Sequence, residues 1–121
     1  MTLVHWTYTK EEWRTFLHRS KKQKGFLSWL FKRLSFMMDT KVPEVKITPE
    51  KVTIGNDHQH FSSERYRVKK IDIRDEGKVN VLTILYRQNG ADTTVNEIRI
   101  PVPKGKLREA LQVQERLNPD C

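Results

Sequence analysis

The hydrophobic period of this chain changes twice, and that change constrains the fold more than any other feature. From Trp13 to Met38 apolar residues recur at helical spacing; from Val45 to Ile100 they alternate; from Leu107 to Leu117 the helical spacing returns. A helical pattern does not settle as a strand, nor the reverse. The order is therefore helix, helix, five to six strands, helix. Strand runs joined by tight turns favour an antiparallel α+β domain. The sheet is expected to be strongly bent and capped on its apolar face by the C-terminal helix. At 121 residues the chain is one structural unit large enough to bury a core. Within it, residues 1–41 form a helical, basic-aromatic arm and residues 42–121 the sheet-plus-helix domain.

The first helix carries its own start signal. Thr9-Lys-Glu-Glu12 is a Thr-x-x-Glu capping box, and Tyr8 and Trp13 stand where a hydrophobic staple pairs its residues. The spacing predicts a helix from Lys10 to about Lys24, with Trp13, Phe16, Leu17 and Ser20 inward, ended by Gly25. Phe26 to Met38 continues the helical period. Phe26, Leu27, Leu30, Phe31, Leu34, Met37 and Met38 fall within one arc of about 140°. Ser28, Lys32, Arg33 and Ser35 lie opposite, and Trp29 and Phe36 fall on that basic side. Asp39 to Pro43 is a linker.

The strand region is punctuated by turn residues. Val45 and Ile47 alternate before Thr48-Pro49-Glu50, and Val52 and Ile54 before Gly55-Asn56-Asp57. His58 to Phe61 is a short strand. Tyr66, Val68, Ile71 and Ile73 alternate with a phase slip at Lys69-Lys70, the mark of a β-bulge. Asp75-Glu76-Gly77-Lys78 is a hairpin turn whose acids are expected in solvent. Val79 to Tyr86, apolar on both faces, is the central strand, and Asn89-Gly90 a turn. Val95, Ile98 and Ile100 form the last strand, stopped by Pro101-Val-Pro103. Leu107, Ala110, Leu111, Gln114 and Leu117 mark the inward side of the last helix, closed by Asn118-Pro119.

Charge is unevenly placed. The formal net charge is +8, and residues 1–41 hold nine basic against three acidic side chains. Between Arg14 and Arg33 stand seven Lys/Arg and no acid, and eight of the eleven aromatics lie in the first 36 residues. A basic excess this local points to a polyanionic partner. Cations beside Trp, Phe and Leu on an amphipathic helix suit the surface of an anionic membrane. The candidate binding residues are Lys21, Lys22, Lys24, Phe26, Trp29, Lys32, Arg33 and Phe36. The same residues fit a protein partner or a homodimer, with Trp29 and Phe36 as anchors. Nucleic acid ranks lower, because no zinc-finger spacing, RNP motif or Gly-x-x-Gly loop accompanies the charge. The alternative for this stretch is a helix packed on its own sheet with a solvated basic side.

Arg65, Arg67, Lys69, Lys70 and Arg74 make a second basic cluster. On an extended strand Arg65, Arg67 and Lys69 share a face. That face either continues an anion-binding surface or is the wet side of an edge strand. His58-Gln-His60 puts two imidazoles on one face of a strand, half of a metal site, with no Cys or Glu-x-x-His to complete it. Lys104-Gly105-Lys106 introduces the last helix. No nucleophile elbow or Gly-rich nucleotide loop is present, so the reading is a non-catalytic binding module without cofactor or metal. The start of the chain has no cationic n-region and no signal-peptide pattern. Phe26 to Met38 is too short and too charged to cross a bilayer, which takes about 20 largely apolar residues. A single cysteine, Cys121, excludes an intramolecular disulfide and suits a reducing compartment. The expected location is the cytoplasm, peripheral at the inner face of the membrane.

Three pieces of the chain resemble the YcxB-like group of bacterial proteins. They are His5-Trp-Thr-Tyr-Thr-Lys-Glu-Glu-Trp-Arg-Thr-Phe16, then Val45-Lys-Ile-Thr-Pro-Glu-Lys-Val-Thr-Ile-Gly55, then Glu97-Ile-Arg-Ile-Pro-Val-Pro103 leading into Leu107-Arg-Glu-Ala-Leu111. The resemblance implies a pleckstrin-homology-like (PH-like) domain. It also implies two hydrophobic membrane spans between the first and second pieces, and there this chain departs. The resemblance thus implies an integral anchor replaced by a peripheral one, or lost.

Overall fold

The computed structural model describes residues 2–20, 42–77, 79–88, 90 and 95–118. The chain runs β1 (Val4–Trp6), α1 (Lys10–Ser20), β2 (Val45–Ile47), β3 (Lys51–Ile54), β4 (Asp57–His60), β5 (Tyr66–Asp75), β6 (Asn80–Gln88), β7 (Val95–Val102) and α2 (Leu107–Leu117). The class is α+β. Among the described residues seven strands stand where five to six were expected, and they form two antiparallel sheets in place of one bent sheet. One sheet has the order β1-β2-β3-β4 and the other β5-β6-β7. The added strand is β1, whose three residues pair with β2 from Val4 opposite Ile47 to Trp6 opposite Val45.

Local chemistry sets the start of α1. The Thr9 amide donates to Glu12 Oε1 at 2.8 Å, and the Glu12 amide donates to Thr9 Oγ1 at 3.1 Å. These are the two reciprocal bonds of the capping box. Tyr8 and Trp13 form the staple, with ring centroids 4.8 Å apart. Trp13 is fully buried, stacks edge-on to Phe16, and donates its indole N–H to the Pro43 carbonyl at 2.9 Å. The helix's continuation to Lys24, the inward placement of the Leu17 and Ser20 side chains, the second helix over Phe26 to Met38 and most of the 39–43 linker lie outside the described residues.

Turn residues behave as their chemistry requires. Thr48 Oγ1 accepts from the amides of Glu50 and Lys51, which closes the β2–β3 turn. Gly77, at φ 89°, lets the β5–β6 hairpin reverse, while Asp75 Oδ1 accepts from its amide at 3.0 Å. β7 runs through Pro101 and ends at Val102, directly before Pro103, so the strand stops within the Pro101-Val-Pro103 motif as expected. β7 is an edge strand, and there a missing N–H costs no ladder bond. The Pro101 carbonyl accepts the Tyr8 hydroxyl at 2.7 Å. Burial raises the Tyr8 pKa well above its ordinary value, and the nearby Glu12 carboxylate adds to the rise.

One core joins the two sheets and the two helices of the described residues. Trp6, Val45, Ile47, Val52 and Ile54 come from the first sheet, and Ile71, Leu82, Ile84, Ile98 and Ile100 from the second. α2 closes the core through Ala110 and Val113. Gln114 donates to the Ile71 carbonyl of β5 at 3.0 Å, and Trp6 of β1 donates to Glu109 at 3.3 Å. The inward side of α2 is thus Ala110, Val113, Gln114 and Leu117. Leu107 and Leu111, expected inward, are 42% and 51% exposed. The helical period is as expected, but contacts with β5 and β1 rotate its phase.

Candidate anion-binding surface

The bulge in β5 builds a basic surface. Val68 stands opposite Tyr86, but Lys70 stands opposite Leu85, so Lys69 is the extra residue. Before the slip Tyr66 and Val68 pack against the core; after it Ile71 and Ile73 do. A bulge bends its strand and re-aims side chains. Here it places Lys70 on the same outer face as Arg67, with Lys69 exposed between them. Arg65, Arg67 and Lys69 therefore do not share one strand face as expected: Arg67 is grouped with Lys70, and Lys69 is the bulged residue. Arg65 precedes β5 in a bend, its amide on Ser63 Oγ.

Register then adds a residue that alternation alone does not point to. Arg67 lies directly opposite Arg87, which lies opposite Val95. Like charges directly opposite one another destabilise a sheet. Among the described residues no carboxylate pairs with Arg67, Lys69 or Arg87. Lys70 is partly neutralised, 3.4 Å from Asp72. Half-buried Leu85 and exposed Val95 flank the cations with apolar surface.

Further along the same face the charges compensate one another. Arg99 is 4% exposed, and its Nη2 donates to both Glu76 oxygens at 2.6 and 2.5 Å. Its Nη1 lies 3.7 Å from Glu97 Oε1. Glu76 is therefore no solvated hairpin acid, contrary to expectation; it folds back to neutralise a buried guanidinium. Beside Arg99, Thr83 is fully buried and donates to the Asp72 carbonyl at 3.3 Å. This compensated middle leaves the excess charge at the bulge end.

The outer face of the four-stranded sheet carries a different set. His5, Lys46, Thr53 and His58 stand in one cross-strand row, and Lys51 and His60 in another. His5 Nε2 lies 3.1 Å from Glu44, and His58 Nδ1 is 2.9 Å from Thr53 Oγ1.

An open groove of about 610 Å³ lies between the start of α1 and the β7–α2 connection, lined in part by Glu12, Val79, Val102, Pro103 and Leu107. The Glu12 carboxylate there is committed to structure. One oxygen holds the Thr9 amide and the other the Lys104 amide at 2.8 Å. Lys104 and Gly105 form the turn expected ahead of α2.

The expected arm residues Lys21, Lys22, Lys24, Phe26, Trp29, Lys32, Arg33 and Phe36 lie outside the described residues. No helix among the described residues is long and apolar enough to cross a membrane. No family model matches the chain, and neither the curated proteins nor the solved structures searched contain a match.

Proposed function

We propose that this chain is a non-catalytic binding module that associates peripherally with an anionic membrane surface. The observation that carries this reading is the facing pair Arg67 and Arg87 beside Lys69, cations without a carboxylate partner among the described residues. Holding like charges opposite one another costs stability, and an anion docked between them relieves that cost. Each cation near an anionic leaflet contributes roughly 1 kcal/mol, screened by salt. Lys21, Lys22, Lys24, Lys32 and Arg33 would add to the attraction, with Phe26, Trp29 and Phe36 as the inserting groups.

The PH-like, YcxB-like reading belongs to the same proposal. Its support is the helix that follows the last strand and packs on the core. The three resembling pieces also coincide with β1 and capped α1, with the β2–β3 hairpin, and with the passage from β7 into α2. A second reading, self-association, is favoured by exposed Leu107, which lines the groove, and exposed Leu111 one turn further along α2. Vesicle co-sedimentation at low salt tests the first reading. Pelleting with anionic vesicles and not with neutral ones supports it, and equal pelleting with both sinks it. A concentration-dependent dimer in sedimentation velocity, without lipid binding, moves the case to the second.

A further inference from the structure

We propose that His58 and His60 on β4 form an exposed two-imidazole chelate for a transition-metal dication, Cu²⁺ before Ni²⁺ or Zn²⁺. β4 is an edge strand, and its burial alternates so that His58 and His60 are exposed while Asp57 and Gln59 are half-buried. Residues two apart on a strand share a face at a separation of roughly 6 to 7 Å. That span lets two rings turn toward one ion at the roughly 2 Å typical of metal–imidazole bonds.

The second observation is the contact between His58 Nδ1 and Thr53 Oγ1 at 2.9 Å on the neighbouring strand. With Nδ1–H donating to the hydroxyl, Nε2 presents its lone pair outward. A hydrogen bond at the other ring nitrogen is how proteins fix the tautomer and aim of a metal-binding histidine. Lys51 stands opposite His60 in the register, so the face is cationic and does not attract hard, oxygen-seeking cations. Imidazole nitrogen instead suits borderline metals, with Cu²⁺ the tightest of the divalent series. Among the described residues no cluster of three or more His, Cys, Asp or Glu side chains is placed to hold a metal. The remaining coordination positions therefore belong to water or to a small chelating ligand, and the site is an open one.

The test titrates the full chain with Cu²⁺–iminodiacetate, a complex that leaves adjacent coordination positions free, and follows it by electron paramagnetic resonance. The inference predicts a one-to-one complex with imidazole nitrogen couplings. His58→Ala and His60→Ala each weaken it about 10-fold or more, and Thr53→Val weakens it by up to about 10-fold. His5→Ala, on the same sheet face, leaves it unchanged. Circular dichroism confirms that each variant folds, as exposed positions should allow. Wild-type affinity in either His58→Ala or His60→Ala, or loss of the complex in His5→Ala, overturns the inference.

Discussion

Removing the Glu76 carboxylate should destabilise the fold more than removing the cation it neutralises. Glu76→Ala leaves the Arg99 guanidinium 4% exposed and facing only Glu97 at 3.7 Å. Breaking a buried pair from one side typically costs about 3–5 kcal/mol, because the remaining charge is neither solvated nor paired. Glu97 retains part of the compensation, so the lower end, about 3 kcal/mol, is expected. Arg99→Met is different. It replaces the charge with apolar volume and leaves two carboxylates with side chains 18% and 34% exposed, able to regain water. Removing the cation alone is not the neutral exchange of a whole pair, but the carboxylates lie nearer water than the guanidinium, so a smaller loss of about 1–2 kcal/mol is expected. Urea unfolding followed by tryptophan fluorescence reads both variants. With a slope of roughly 1–2 kcal/mol per molar, Glu76→Ala should lower the midpoint by roughly 1.5–3 M. The double variant should recover most of that loss. A Glu76→Ala midpoint close to wild type, or Arg99→Met as the more damaging change, refutes the reasoning.

The capping box and the buried tyrosine give two further outcomes. Thr9→Ala removes the side-chain bond to the Glu12 amide and should cost about 1 kcal/mol in the same unfolding assay, with Thr9→Ser near wild type. Burial raises the Tyr8 pKa above its ordinary 10.0, so above that pH the unfolded chain loses a proton that the folded chain keeps. Stability should therefore fall as pH rises past about 10, and Tyr8→Phe should flatten part of that fall.

What was legible in the sequence was local. The capping box, the Tyr8–Trp13 staple, the bulge at Lys69 and the turn at Gly77 each depend on residues within a few positions, and each is present. The misses are set by distant partners. β1 is three residues long and exists because β2, some forty positions later, supplies its ladder. Glu76 and Arg99 meet only once β5, β6 and β7 are in register. The phase of α2, with Val113 inward and Leu107 and Leu111 outward, is chosen by the elements it covers. Arg87 becomes part of the candidate site through its cross-strand neighbour. Its own segment, apolar and central, gives no hint of that role.

In the proposed function the Arg67–Arg87 pair is a principal contact with an anionic membrane. The most direct measurement compares partition into anionic vesicles for wild type and the Arg67→Ala/Arg87→Ala double variant at fixed low salt. At roughly 1 kcal/mol per cation, losing two should weaken partition about 30-fold. The unfolding midpoint should hold or rise slightly, because a like-charge pair has been removed. Partition indistinguishable from wild type, in a variant that folds normally, contradicts the claim.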